Sequence, residues 1–87
     1  MNREEIVEKI LEIWQEVFNN KDIKTSDNFF VIGGDSLKAI KILELMKQRN
    51  IIEEIPSMKL IYSHLTINSM ADYVVEISNE EVMEGEI

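Results

Sequence analysis

Asp35 and Ser36 stand directly after two adjacent glycines, in the stretch NFFVIGGDSLKAI (Asn28–Ile40), and directly before an amphipathic, lysine-bearing run. A hydroxyl in that setting offers two kinds of chemistry. It can cap a helix, with Gly33 and Gly34 making the turn, or it can serve as a chemical handle. Hydrolysis is a poor fit, because Gly34-Asp35-Ser36-Leu37-Lys38 lacks the second glycine of a nucleophile elbow and no strand precedes it. A phosphate-cradling P-loop fails too, since Gly33-Gly34 is not followed by Gly-Lys-Ser/Thr. Nor is Asp27–Lys38 a calcium loop: Phe29 and Val31 occupy ligand positions, and Lys38 stands where a glutamate is needed. The single histidine, His64, and the absence of cysteine leave no cluster for a metal, no thiolate and no disulfide framework. His64 reads as a helix-end residue near backbone carbonyls.

Three features raise Ser36 above a simple cap. Phe29, Phe30 and Ile32 anchor the loop just before the glycines. Gly33 and Gly34 remove side chains beside the serine, so another molecule can approach its hydroxyl. Leu37 sets an exposed hydrophobe next to that hydroxyl. A helix N-terminus also attracts phosphate through its free N–H groups and its dipole, so a serine there is well placed to carry a phosphodiester.

The elements that must position this stretch are helical. Residues 4–18 place Ile6, Ile10, Trp14 and Val17 on one face, widened by Val7, Leu11 and Phe18, with Glu4, Glu5 and Glu8 at the favourable end of the dipole. Asn19, Asn20, Lys21 and Asp22 end this helix. A long loop follows to residue 34, with Ile23, Phe29, Phe30 and Ile32 expected in the core and a single helical turn expected near Thr25–Asp27. The second helix spans 36–49, capped by Asp35 or Ser36. Its apolar set is wider than one face needs, which leaves part of it for a partner. Asn50 closes it, and Ile51, Ile52 and Ile55 lead back to the core before Pro56. A short third helix, 57–64, is capped by Ser57. A fourth, capped by Thr66, runs to Ser78 and turns Ile67, Met70, Ala71, Val74 and Ile77 inward. The pattern predicts an all-α, small four-helix bundle with a long loop between helices 1 and 2. The domain occupies residues 1–78, and 79–87 form an acidic C-terminal tail or linker.

The totals narrow the function classes. The chain has 87 residues, room for one modest core, and a net charge of −8 from 9 basic and 17 acidic residues. That charge disfavours nucleic acid and anionic membranes as partners. No apolar run approaches a membrane span, and the acidic N-terminus does not resemble a signal peptide. These features, with the lack of cysteine, predict a cytoplasmic protein.

The run DNFFVIGGDSLKAIKIL closely resembles the core motif of peptidyl carrier (thiolation) domains of nonribosomal peptide synthetases, within the acyl carrier protein-like family. Asp27 through Leu37 follow that pattern. IYSHLTI (Ile61–Ile67) resembles a second family motif, with Leu65 where the family usually has proline. The resemblance covers roughly residues 4–78. It implies that Ser36 receives 4′-phosphopantetheine from coenzyme A through a separate phosphopantetheinyl transferase, with Gly34, Asp35 and Leu37 as the flanking motif. It also implies that the chain is not an enzyme. The arm's thiol then carries aminoacyl or peptidyl thioesters between adenylation, condensation and thioesterase domains, with epimerization or tailoring domains as further partners. Leu37, Lys38, Ile40, Lys41, Met58 and Lys59 are the expected partner contacts, and the carrier is expected to be a monomer. Carriers for fatty acid synthesis follow the serine with acidic residues. Here the second helix holds Lys38, Lys41, Lys47 and Arg49 against Glu44 alone, which favours a peptidyl carrier over a polyketide or other acyl carrier. A non-covalent helical adaptor, with Asp35-Ser36 as cap only, is the reading from a different class.

Overall fold

In the computed structural model, which describes residues 1–57 and 59–86, four helices follow in the order α1 (Arg3–Phe18), α2 (Ser36–Gln48), α3 (Lys59–Ser63) and α4 (Ile67–Glu86). No strand occurs among the described residues. Helix α1 packs against both α2 and α4. No helix among the described residues is long and apolar enough to cross a membrane.

Helix α1 starts at Asn2, whose side chain accepts the Glu5 amide at 2.9 Å. Both long N-terminal helices stop in the same way. Asn19 and Asn50 adopt left-handed backbone, with φ of 51° and 62°. Each is followed by an amide that reaches back five residues, Asn20 N–H to Gln15 O at 3.0 Å and Ile51 N–H to Met46 O at 2.9 Å. This closure satisfies carbonyls that a helix end leaves free, and asparagine tolerates the positive φ it needs.

The inner face of α1 buries Ile6, Ile10, Ile13 and Trp14. Ile13 completes the face and was not among the expected core residues; Val17 is only half-buried at its edge. Trp14 meets Phe29 edge to face, with ring centroids 5.6 Å apart, and lies 6.0 Å from Phe18. The Trp14 indole N–H is buried without a hydrogen-bond partner. Helix α4 buries Ile67, Met70, Ala71 and Val74, with Ile77 at the margin. Its cap is Thr66, whose hydroxyl accepts the Ser69 amide at 3.1 Å. Helix α4 continues past Ser78 to Glu86, longer than the pattern of apolar residues requires, because no proline interrupts the acidic stretch.

Three expectations need correction. Phe30 is not core: it stays 42% exposed, because Phe29 fills the buried place beside Trp14 and Phe18. Ile55 is 48% exposed, since the chain bends at Glu53 and Glu54 and only Ile51 and Ile52 of the segment before Pro56 reach inward. Thr25–Asp27 form a turn rather than a helical turn. There the Asp27 carboxylate accepts the Lys24 amide at 2.9 Å and the Asp27 amide donates to Lys24 O. Among the described residues α3 spans Lys59–Ser63 and ends before His64.

Helix α2 divides its apolar residues sharply. Ala39, Ile42, Leu43 and Met46 are buried, whereas Leu37 is 77% exposed and Ile40 is 47% exposed. Two leucines of one helix should therefore respond differently to truncation. Leu43→Ala should cost about 2–5 kcal/mol in chemical denaturation, and Leu37→Ala within about 0.5 kcal/mol.

Candidate functional site

The loop that leads to Ser36 is built by side chains bonding their own backbone. Asn28 Oδ1 accepts the amides of Phe30 at 2.9 Å and Val31 at 3.2 Å, which folds residues 28–33 into a tight turn. Phe29 then leaves that turn in three directions. Its amide donates to Leu65 O at 2.7 Å, at the junction of α3 and α4, and its carbonyl accepts the Gly34 amide at 2.8 Å. Its ring is fully buried against Trp14, Phe18 and Phe30.

The two glycines have different physical reasons. Gly33 sits at φ +103°, where a side chain would strain the backbone, although open space surrounds it. Gly34 has an ordinary φ but no room: a β-carbon there would lie about 2.5 Å from both the ring edge and the carbonyl oxygen of Phe29. The space left by the absent Gly34 side chain is thus filled by Phe29 from within. It does not serve as clearance for a visiting molecule, which corrects the expectation from sequence.

Asp35, not Ser36, caps α2. Its carboxylate accepts the Lys38 amide at 2.9 Å, and Lys38 Nζ stands 3.4 Å from its other oxygen. The amide bond chiefly, with the Lys38 ammonium adding to it, holds the Asp35 carboxyl below its ordinary value. Lys38 is half-buried, its ammonium 5.9 Å from the centre of the Phe18 ring. Ser36 is the first residue of the helix and is exposed, and the capping bonds pass between Lys38 and Asp35 without using its hydroxyl. The first-turn N–H groups and the helix dipole favour an anion at this end. Lys38 partly offsets the opposing charge of Asp35. An exposed, uncommitted hydroxyl in this field fits attachment of a phosphodiester-linked group.

The remaining sequence candidates separate. Leu37 and Ile40 lie exposed on the helix that begins at Ser36, and Lys41 is exposed beside them. Lys59 is exposed at the start of α3. Met58 lies outside the described residues. Arg49 is engaged with Glu16 of α1 at 2.6 Å, which removes one cation from the helix surface. His64 Nδ1 lies 2.7 Å from the Ser69 hydroxyl, so its partner is a side chain of α4 rather than a backbone carbonyl. Tyr62 of α3 stacks on Phe30, with centroids 5.5 Å apart, and sequence reasoning missed this exposed pair because the two residues are 32 positions apart. No group of acids and histidine able to hold a metal occurs among the described residues.

Comparison with known proteins gives the family and the fold. The family model described as a phosphopantetheine attachment site matches residues 8–74. Bacitracin synthase 1 of Bacillus licheniformis is 32% identical over 74 residues, which are 85% of this chain and 1% of that protein. Gramicidin S synthase 2 of Brevibacillus brevis is 39% identical over 71 residues, 80% of this chain and 2% of that protein. A plipastatin synthase polypeptide of Bacillus subtilis is 34% identical over 88 residues, 98% of this chain and 3% of that protein. The chain therefore spans only a few per cent of the curated relatives it matches. Among solved structures, BlmI, a type-II acyl carrier protein of Streptomyces verticillus involved in bleomycin biosynthesis, shares the fold. Its TM-score is 0.78 at 24% identity, over 86% of this chain and 88% of that one. A chain from the complex of the phosphopantetheine transferase Sfp with coenzyme A and a peptidyl carrier protein aligns with a TM-score of 0.73 at 31% identity, over 82% of this chain and 90% of that one.

The lowered Asp35 value has a pH consequence. A depressed carboxylate contributes stability above its unfolded value, and the contribution is lost as pH falls through the folded one. The stability gap between wild type and Asp35→Ala should therefore be full at pH 7 and shrink on acidification below the ordinary value of 3.8. Denaturation of both proteins across that range checks it. Ser36→Ala, which removes no cap, should leave stability within about 0.5 kcal/mol at pH 7.

Proposed function

The chain belongs to the phosphopantetheine-attachment family, and on that premise we propose that Ser36 carries the 4′-phosphopantetheine and that the cargo is aminoacyl or peptidyl. The observation that supports this best is the exposed Ser36 hydroxyl at the first position of α2, left free because Asp35 does the capping. The attached arm supplies a terminal thiol that holds an acyl group as a thioester. Every other task here falls to the chain's own residues. Ser36 Oγ forms the new bond to phosphorus as the nucleotide part of coenzyme A leaves. Its proton passes to a base of the separate transferase. The first turn of α2, with Lys38, then faces the phosphodiester charge.

The chain acts as a substrate and carrier rather than a catalyst. Gly34, Asp35 and Leu37 flank the attachment point. Leu37, Ile40 and Lys41 form the surface on which the transferase and the adenylation, condensation and thioesterase domains dock in turn, with Lys38, Lys59 and Met58 as further partner contacts. Such successive visits call for small, transient interfaces, which a monomer with a few exposed apolar residues suits. The likeness to bacitracin, plipastatin and gramicidin S synthases supports a peptide pathway. So do Lys41 and Lys47, which remain exposed on α2. Residues 1–78 form the carrier unit, and 79–87 serve as its acidic tail or linker.

Incubation with coenzyme A and a promiscuous phosphopantetheinyl transferase should add one phosphopantetheine to the wild type and none to Ser36→Ala, read as intact mass. An unmodified wild type, or a modified Ser36→Ala, would overturn the assignment. Leu37→Ala should keep its helicity and be modified more slowly, by roughly tenfold, as expected for loss of a central apolar contact.

A further inference from the structure

We infer that Phe29 is a positioning residue for the attachment reaction, acting as a fixed template that sets where Ser36 presents its hydroxyl. The inference rests on the reading that Ser36 is the attachment site. Ser36 has no side-chain tether of its own. Its place is set by the backbone of Gly34 and Asp35 before it, and that backbone is fastened to Phe29 twice. The Gly34 amide donates to Phe29 O at 2.8 Å, and the Gly34 α-carbon rests against the Phe29 ring so closely that a β-carbon would collide with both ring and carbonyl.

Phe29 is in turn fixed from two other elements. Its amide bonds to Leu65 O at 2.7 Å, directly before the Thr66 cap of α4. Its ring meets Trp14 and Phe18 edge to face, each at 5.6 Å, from the last turns of α1. Phe29 therefore ties the backbone just before α2 to α1 through its ring and to the α3–α4 junction through its amide. No other residue in the loop combines a buried ring, a bond to another element and contact with the glycine two positions before the serine. An exposed hydroxyl that must meet a reacting phosphorus in another protein gains from such fixing, because small displacements of a reacting atom are costly to rate.

A side chain that positions the serine should act on turnover, whereas one that only supports the fold should act on stability alone. Steady-state kinetics of the transferase with coenzyme A should be measured on wild type, Gly34→Ala, Phe29→Leu and the double variant, well below their melting temperatures and with helicity checked by circular dichroism. Gly34→Ala should lower kcat by about tenfold or more with KM changed by less than about twofold, since the docking face of α2 is intact. Phe29→Leu in the Gly34→Ala background removes the ring edge that the new methyl meets, and should recover part of kcat. Val74→Ala, a core truncation in α4 remote from the loop, should lower stability and leave kcat at the wild-type value. A folded Gly34→Ala with wild-type kcat, or a double variant whose loss is the product of the two single losses, would overturn the inference. If Gly34→Ala fails to fold, Phe29→Leu alone decides: a kcat as high as that of Val74→Ala overturns the proposal. Modification of the wild type that Ser36→Ala does not abolish would instead sink the assignment of Ser36 itself.

Discussion

The structure depends on Phe29 filling the place that a side chain at Gly34 would take. That contact joins three requirements in one spot. The aromatic cluster of Trp14, Phe18 and Phe29 needs a buried ring at the end of α1. The loop needs an internal anchor, because it crosses from α1 to α2 without regular structure. The start of α2 needs a backbone that arrives in one place. Without the glycine the ring cannot close on the loop, and without the ring the loop has no buried centre.

Division of labour between neighbours follows from this arrangement. Asp35 satisfies the helix end, so the Ser36 hydroxyl is left out of the cap. Lys38 answers Asp35 and leans over Phe18, so its stem adds to the packing under the loop while its charge tempers the acid beside Ser36. Leu37 and Ile40 stay exposed because the inward positions of α2 are already taken by Ala39, Ile42, Leu43 and Met46. The surface ion pairs Arg3–Asp72 and Arg49–Glu16 join α1 to its two neighbours, yet exposed pairs of this kind contribute only about 0.2–1 kcal/mol each. Cohesion comes mainly from the apolar core.

Much of this was legible in the sequence. The helical period marks α1, α2 and the start of α4 within a few residues, because each has an inward face of aliphatic residues and a polar cap. The long motif around Gly33-Gly34 marks the family. What the sequence did not reveal were the choices between adjacent, chemically equal candidates. Phe29 and Phe30 are indistinguishable by type, and only the position of Trp14 decides that one is buried and the other stacks on Tyr62. Asp35 and Ser36 are both good caps, and the geometry of the Lys38 amide selects Asp35. The reason for Gly34 was hidden for the same cause: a close approach between residues five apart leaves no periodic trace. Ile55 misled because an apolar residue before a proline reads as core whether or not the chain turns inward.

The most direct test of Ser36 as the handle is the location of the attached group. Trypsin should release residues 25–38, TSDNFFVIGGDSLK, from the modified protein, a peptide with three hydroxyl-bearing residues, Thr25, Ser26 and Ser36. Fragment masses should place the phosphopantetheine on Ser36 alone. Its appearance on Thr25, on Ser26 or on a peptide from elsewhere in the chain would contradict that role.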